Sequence, residues 1–170
     1  AVVNAMTVDV EDYFQVSAFE SHVDKSEWQN IPCRVESNTR KILELFAERD
    51  IKATFFTLGW VAQRYPELVR DIVAQGHELA SHGWEHIRVN TQTAEAFRQD
   101  IDRTRKLLQD ISGAPVIGYR AASYSIGADQ VWAWEELADA GHRYSSSIVP
   151  IHHDLYGIPD APRFSFHTAQ

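Results

Sequence analysis

Two histidines and a group of acidic residues could together hold a divalent metal ion. His82 and His86 are four residues apart, and one helical turn or a tight loop then puts both imidazoles on one side of the backbone. Asp9, Glu11 and Asp12 form an acidic cluster near the amino terminus. Two imidazoles and one carboxylate leave room for water on a bound ion, which is the arrangement of hydrolytic metal sites. The pattern therefore predicts metal-dependent hydrolysis.

Each half of this pattern has a plain structural interpretation when it is taken alone. A pair of histidines at this spacing is more often two surface or core side chains than a metal site. An acidic group after a strand is often a solvated loop or a helix cap. The prediction depends on whether the fold brings the two halves together.

Strand-like and helix-like segments alternate along the chain. Short segments rich in β-branched or aromatic residues are predicted as strands, and amphipathic segments that end near glycine are predicted as helices. The predicted strands are residues 1–10, 52–58, 77–80, 116–120 and 144–149, and the predicted helices are residues 37–49, 66–75, 94–111 and 129–140. The first of these helices has Ser37 or Asn38 as its predicted cap. This order predicts an α/β fold with a mainly parallel sheet and helices outside it.

The polar residues follow the predicted strands at their carboxyl ends, which lie at one edge of a parallel sheet and are where ligands and catalysis are found. We therefore expect residues distant in sequence to meet there. The acidic cluster closes the first strand, the histidines follow the third, Arg120 closes the fourth, and Ser145, Ser146 and Ser147 lie in the fifth.

Composition limits the classes of protein that the chain can belong to. Its 170 residues, 44% hydrophobic and 24% charged, predict one globular domain over residues 1–170. The net charge of −8 makes nucleic acid an unsuitable partner. No apolar run approaches the roughly 20 residues of a transmembrane segment, and the single Cys33 cannot form an internal disulfide. The amino-terminal residues do not resemble a signal peptide, which favours a soluble, cytoplasmic protein.

Four segments, in order, resemble motifs of the polysaccharide deacetylases with a NodB-homology domain, carbohydrate esterase family 4. They are Thr-Val-Asp-Val-Glu-Asp at 7–12, His-Gly-Trp-Glu-His at 82–86, Arg-Ala-Ala-Ser-Tyr at 120–124 and Tyr-Ser-Ser-Ser at 144–147. The resemblance covers nearly the whole chain and implies a distorted (β/α) barrel. Residues 9–19 and 156–163 are similar to the subgroup associated with bacterial exopolysaccharide loci.

The resemblance implies a role for each motif residue in hydrolysing N-acetyl groups of a polysaccharide or oligosaccharide to acetate and a free amine. A divalent ion, zinc in most such sites and cobalt or nickel in others, is expected on both histidines and one carboxylate. Asp9 is the expected general base, and Arg120 is expected to pair with it and orient it. The backbone N–H of Tyr124 is expected to stabilise the oxyanion, and Trp84 is expected near the substrate.

This sequence departs from the family pattern at three places. Val10 stands where the family has its ligand aspartate, so Glu11, which alternation puts on the side of Asp9, and Asp12, which has the more usual ligand type, both remain candidates. Ser145 replaces an acid that orients the arginine, so we expect Arg120 to be less tightly held. The last motif, with its histidine acid, has no counterpart in the chain. Five strands are also too few for a closed barrel, which predicts a C-terminally truncated domain. Its open sheet edge would need either cover from another chain, as in a homo-oligomer, or an unusual closure.

Two other functions are consistent with the same residues. A related enzyme could hydrolyse a C–N bond in a small cyclic amide or ureide, because one fold can serve several substrates. The chain could also bind a metal or a glycan without turnover, as the departures at Ser145 and in the last motif would allow. Acetate release from chitooligosaccharides would separate the first function from both alternatives.

Overall fold

Five short parallel strands form one sheet in the computed structural model, which describes residues 4–154 and 156–168. Neighbours in sequence are neighbours in space, in the order β1-β2-β3-β4-β5. The predicted α/β fold with a parallel sheet is confirmed. The strands are β1 at Thr7–Val10, β2 at Thr54–Thr57, β3 at Glu78–Ser81, β4 at Gly118–Tyr119 and β5 at Tyr144–Ser145.

Helices connect the successive strands. Two helices lie between β2 and β3, where the sequence predicts one. The additional helix is only six residues long and begins directly after Leu58, so it has too few turns to show a helical period. The helices are α1 at Val35–Glu48, α2 at Gly59–Arg64, α3 at Pro66–Ala74, α4 at Ala94–Ser112 and α5 at Trp132–Asp139.

Several predicted boundaries differ from the structure. The first strand begins at Thr7, and positions 1–3 of the predicted strand lie outside the described residues. The strands predicted at 116–120 and 144–149 contain only two paired residues each. Beyond these pairs, the Ala121 N–H donates to the Ser147 hydroxyl at 2.9 Å and not to a backbone carbonyl of the neighbouring segment.

The first helix also begins earlier than the sequence predicts. It starts at Val35, and neither Ser37 nor Asn38 is its cap. The cap comes from outside the helix, because the carboxylate of Asp12 accepts from the N–H groups of Arg34 and Val35. A residue that follows β1 thus fixes the start of α1.

Apolar side chains from the helices cover the sheet and hold the strands in register. Val10 and Phe55 pack with α1, and Tyr119 packs with α4 and α5. In a parallel sheet buried in this way, polar side chains collect at the carboxyl ends of the strands. The sheet has β1 and β5 as its two edge strands. Among residues 4–154 and 156–168, no helix has the length and apolarity to cross a membrane.

Candidate metal centre

Glu11, His82 and His86 converge at the carboxyl ends of β1 and β3. One ligand atom from each residue lies within 4.8 Å of those of the other two. Oε2 of Glu11 is 3.7 Å from Nε2 of His82 and 3.1 Å from Nε2 of His86. The two halves of the sequence pattern therefore meet, although they are about 70 residues apart in the chain.

The donor atoms of this cluster suit a cation better than they suit one another. Oε2 of Glu11 and Nε2 of His82 are buried and have no hydrogen-bond partner within residues 4–154 and 156–168. Burial, followed by repulsion from Asp9, raises the pKa of Glu11 to about 7. Burial, followed by the neighbouring His82, lowers the pKa of His86 to about 3, and burial also lowers the pKa of His82. Both imidazoles are thus neutral near pH 7, which is the form that binds metal.

His82 is oriented by the neighbouring strand. Its Nδ1 lies 2.8 Å from the main-chain oxygen of Arg120. Because a carbonyl can only accept, Nδ1 carries the proton and the lone pair of Nε2 points toward Glu11. A hydrogen bond of this type to the second ring nitrogen is the usual support of a metal-binding histidine.

The loop from His82 to His86 is held by groups on two helices. The carboxylate of Asp100, on α4, accepts from the N–H of Trp84 at 3.0 Å. The carbonyls of Gly83 and Trp84 accept from the first amides of α2, Gly59 at 2.9 Å and Trp60 at 3.0 Å. The loop connecting the two histidines is therefore fixed on both sides, and His86 is held with a positive φ of 53°.

Trp84, which the sequence suggests lies near the substrate, packs into the helical layer. Its side chain is buried, and a Cβ added at Gly59 would lie 2.4 Å from the indole ring. The guanidinium of Arg103 lies 3.3 Å from the centre of the same ring. Trp84 is absent from the walls of the cavity at the metal cluster. Its indole contacts Gly59 and Arg103 and so anchors the loop in the helical layer.

The guanidinium of Arg120 donates four hydrogen bonds to described residues. It donates to Oδ1 of Asp9 at 2.6 Å and to Oγ1 of Thr7 at 3.1 Å. It also donates to the main-chain oxygen of Ser146 at 3.2 Å and to its hydroxyl at 2.8 Å. The expectation that Arg120 would be less tightly held is wrong. Thr7 and Ser146 accept hydrogen bonds from Arg120 and take the place of the acidic residue that Ser145 replaces. The ion pair with Asp9 also compensates the positive charge of the buried Arg120 guanidinium.

Asp12 lies close to this site in sequence but points away from it. Its Oδ2 accepts from the N–H groups of Arg34 at 2.6 Å and Val35 at 2.9 Å, and its Oδ1 accepts from Tyr13 at 3.0 Å. The side chain is almost fully buried by these contacts. Of the two carboxylates that the sequence left open, Glu11 is beside the histidines and Asp12 is committed to backbone amides.

A cavity of about 140 Å³ opens over Glu11, His82 and His86, the candidate metal ligands. Tyr124 is one of its walls, but the Tyr124 N–H already donates to the carbonyl of Ala121 at 3.0 Å. Ser123 and Tyr124 both have φ near +50°, a conformation that is rare outside glycine, so this loop is strained at the cavity. The walls comprise Asp9, Glu11, Val16, His82, His86, Ala121, Ser123 and Tyr124.

The segment after β5 returns to this cavity. The Tyr156 ring packs against Tyr124 with centroids 5.9 Å apart, and His153 stacks on Tyr156 at 4.0 Å. Gly157 closes the turn with a φ of 107°, where a Cβ would lie 2.3 Å from the carbonyl oxygen of Ile151. These residues support Tyr124 from the outside.

The roles of Asp100 and Thr7 were not predicted from the sequence, and Ser146 was placed at this edge without any indication that it binds Arg120. Asp100 lies within a regular helical pattern, where an acid is ordinarily a solvated side chain, so no local signal distinguishes it. The contact of Thr7 with Arg120 could have been predicted, because strand alternation puts the side chains of Thr7 and Asp9 on the same face of β1. Ser146 directly follows β5 at the predicted edge, and its position was a usable signal.

Comparisons of the sequence and of the fold match the chain to known proteins. The sequence model of the polysaccharide deacetylase family matches residues 24–145. A chitooligosaccharide deacetylase of Sinorhizobium fredii is 35% identical over 94 residues, which are 55% of this chain and 43% of that protein. A peptidoglycan-N-acetylglucosamine deacetylase of Bacillus cereus is 32% identical over 75 residues, which are 44% of this chain and 27% of that protein. The chain thus matches less than half the length of either relative.

The crystal structure of a putative polysaccharide deacetylase from Mycobacterium smegmatis has a similar fold. It superposes with a TM-score of 0.68 at 25% sequence identity, and the match covers 85% of this chain and 50% of that one. The fold and the sequence comparisons therefore point to the same family.

Proposed function

Because the chain belongs to the polysaccharide deacetylase family, we propose that it is a metal-dependent hydrolase that removes N-acetyl groups from the amino sugars of a polysaccharide. One observation carries the proposal. Glu11 and His82, whose ligand atoms have no hydrogen-bond partner among the described residues, line the same cavity as Asp9, whose carboxylate Arg120 holds. A carboxylate base beside a three-residue metal site is what amide hydrolysis by water requires.

Glu11, His82 and His86 are the proposed ligands, and zinc is the proposed ion, with cobalt or nickel as substitutes. Two neutral imidazoles and one carboxylate are a usual ligand set for catalytic zinc. When bound, the ion supplies a Lewis acid for the acetamide carbonyl and lowers the pKa of water to about 7. Asp12 is excluded from our proposed ligand set, because its carboxylate satisfies three backbone amides.

Asp9 is the proposed general base. Arg120 donates to one of its oxygens, and Thr7 and Ser146 hold the arginine in turn, so the carboxylate is fixed at the cavity wall. In this position Asp9 can take the proton from an attacking water. Arg120 contributes by orienting Asp9 and has no proposed contact with the substrate.

Tyr124 is proposed as part of the substrate wall. Its backbone N–H is occupied by Ala121, so we do not assign it to the oxyanion. Its ring is buttressed by Tyr156 and borders the cavity at the metal cluster. An aromatic wall of this kind suits the apolar face of a sugar or the methyl group of an acetamide.

The substrate class follows from the relatives, which act on chitooligosaccharides and on the N-acetylglucosamine of peptidoglycan. Polymers of N-acetylated amino sugars, including an exopolysaccharide, are therefore the proposed substrates. The experiment compares acetate release from chitooligosaccharides with ring opening of small cyclic amides by the zinc-loaded chain. Acetate release with no ring opening supports the proposal, and ring opening alone contradicts it.

A further inference from the structure

The side chain of Tyr144 crosses one strand of the sheet to reach the next. Tyr144 lies in the edge strand β5 and is paired with Gly118 of β4. Its hydroxyl donates to Oε1 of Glu78, on β3, at 2.8 Å. A Cβ added at Gly118 would lie 2.3 Å from the Tyr144 hydroxyl oxygen, so the ring can take this path only over a glycine. Tyr144 thus links two strands that are not neighbours.

Glu78 is positioned to receive this hydroxyl. Its other carboxylate oxygen, Oε2, accepts from the hydroxyl of Thr54, on β2, at 2.7 Å, and Thr54 and Glu78 are paired residues of the sheet. Burial, followed by the hydrogen bond to Glu78, raises the pKa of Tyr144, so its hydroxyl keeps the proton and donates. The carboxylate of Glu78 therefore ties β5 to both β2 and β3.

This link bears on Arg120 through the segment that follows β5. Two of the four hydrogen bonds that the Arg120 guanidinium donates to described residues go to Ser146, one to its main-chain oxygen and one to its hydroxyl. Ser146 is two residues after Tyr144, and strand alternation puts both side chains on the same face of the sheet. Because only two residues of β5 pair with β4, few backbone hydrogen bonds hold this edge segment. The side-chain link at Tyr144 therefore limits the movement of Ser146.

The guanidinium of Arg120 is restrained by an aromatic ring beneath it and by hydrogen bonds around it. Its Cζ lies 4.0 Å from the centroid of the Phe56 ring. Packing on a ring fixes the height of the guanidinium above the sheet but leaves it free to slide, so its hydrogen bonds to Thr7, Asp9 and Ser146 decide its place. A shift of Ser146 would accordingly displace the contact between Arg120 and Asp9.

We propose that Tyr144 and Glu78 are positioning residues, whose hydrogen bond fixes Ser146 and through it the guanidinium that orients Asp9. The proposal rests on the proposed function, because Asp9 acts as a base only in that reaction. Tyr144 and Glu78 do not border the cavity over the candidate metal ligands, so neither is expected to touch the substrate or the metal. Their effect is therefore expected on the chemical step and not on binding.

The first arm of the test uses the metal-free chain, so that no turnover is needed. It follows the exchange of the Arg120 Nε–H with solvent by nuclear magnetic resonance, and the signal is identified by its absence in Arg120→Lys. Tyr144→Phe removes the donor and keeps the ring over β4. The matched control is Tyr65→Phe, because the Tyr65 hydroxyl also has a side-chain partner, Arg64 at 3.3 Å, but does not border the cavity. Urea unfolding confirms that the variants are folded.

Tyr144→Phe should speed the exchange of this proton about five- to tenfold, the effect of one lost hydrogen bond. Tyr65→Phe should leave the exchange unchanged. Glu78→Gln keeps an acceptor oxygen for Tyr144 and should stay within about twofold of the parent, whereas Glu78→Ala should match Tyr144→Phe. Unchanged exchange in Tyr144→Phe, or equal acceleration in Tyr65→Phe, would overturn the positioning role.

The second arm measures acetate release by the zinc-loaded variants. Tyr144→Phe is expected to lower kcat about five- to tenfold and to leave KM and zinc affinity unchanged, and Glu78→Gln should retain most of the parental kcat. A role confined to stability would lower the free energy of unfolding without changing kcat, and parental kcat in Tyr144→Phe would therefore overturn the proposal. Faster exchange in Tyr144→Phe, with no acetate release by the parent, would retain the positioning of Arg120 and reject the proposed function.

Discussion

The main-chain oxygen of Arg120 accepts a hydrogen bond from Nδ1 of His82 at 2.8 Å. The same residue donates through its side chain to Asp9 at 2.6 Å. One residue at the end of β4 thus orients both a proposed metal ligand and the proposed base. Arg120 thus holds the proposed ligand and the proposed base beside the same small cavity. Substitutions can test metal binding and base catalysis separately.

Glu11 and Asp12 should respond differently to substitution. Glu11→Gln removes a proposed ligand and is expected to lower zinc affinity by at least about 100-fold with little change in stability. Asp12→Ala leaves the amides of Arg34 and Val35 unpaired and should lower the free energy of unfolding by about 2–3 kcal/mol. Zinc titration and urea unfolding measure the two effects.

Each of these variants is the control for the other. Loss of zinc binding in Asp12→Ala together with full zinc binding in Glu11→Gln would reverse the assignment of the carboxylate ligand.

Asp9 should affect turnover without affecting metal content. Asp9→Asn keeps a hydrogen-bond acceptor for Arg120 but is a much poorer base, so turnover should fall by about 10²- to 10⁴-fold. The zinc content of the purified variant should equal that of the parent. Near-parental acetate release by Asp9→Asn would remove Asp9 from the role of base.

Asp100 should act on the metal site through the loop that it holds. Asp100→Ala removes the acceptor of the Trp84 N–H, and zinc affinity is expected to fall about 10- to 100-fold, as for other groups that orient metal ligands. Asp100→Asn keeps an acceptor oxygen and should restore most of the affinity. A purely structural role would lower stability and leave the zinc affinity of the folded protein unchanged.

The matched control for this prediction is Asp102→Ala, on the exposed face of the same helix. Zinc binding by Asp100→Ala that equals zinc binding by this control would show that Asp100 does not position the loop.

His142 should make the stability depend on pH. Burial, followed by the charge of Arg105, lowers its pKa in the folded chain to about 4, against 6.5 as the ordinary value. Below pH 6.5 the unfolded chain therefore binds a proton that the folded chain does not bind until about pH 4. This contribution to stability is present above pH 6.5 and is lost as the pH falls toward 4, by up to about 3 kcal/mol.

Urea unfolding at pH 7 and pH 5 measures this effect in the metal-free chain. His142→Phe should reduce the loss of stability between the two pH values by about 2 kcal/mol. His22→Phe, at an exposed histidine, is the control and should leave the loss unchanged. An unaltered loss in His142→Phe would show that His142 does not titrate as its burial requires.

The arrangement of the site follows from features that a sequence can show. Strand periodicity places Asp9 and Glu11 on one side of β1, and the order of elements places His82 and Arg120 at the same edge of a parallel sheet. These inferences use only local patterns and the geometry of parallel sheets. They were sufficient to predict the fold class and to predict that the acidic cluster and the two histidines lie together.

The errors concern side chains whose partners are distant in sequence. Asp12 was kept as a ligand because the amides that it caps lie 22 and 23 residues away, and no local pattern connects them. The packing of Trp84 on Gly59 was not predicted, because it depends on how α2 meets the loop. Contacts of this kind depend on the packing of whole elements and are not encoded in a single motif.

Acetate release from an N-acetylglucosamine oligomer by the zinc-loaded chain is the most direct test of the proposed function. Paired samples contain the same protein after treatment with a chelator, and His82→Ala serves as a variant that cannot complete the metal site. We predict acetate release that is lost on chelation, is restored by zinc or cobalt, and does not occur with His82→Ala. Acetate release that persists in the chelated protein, or none from a chain with zinc bound at Glu11, His82 and His86, would contradict the proposed function.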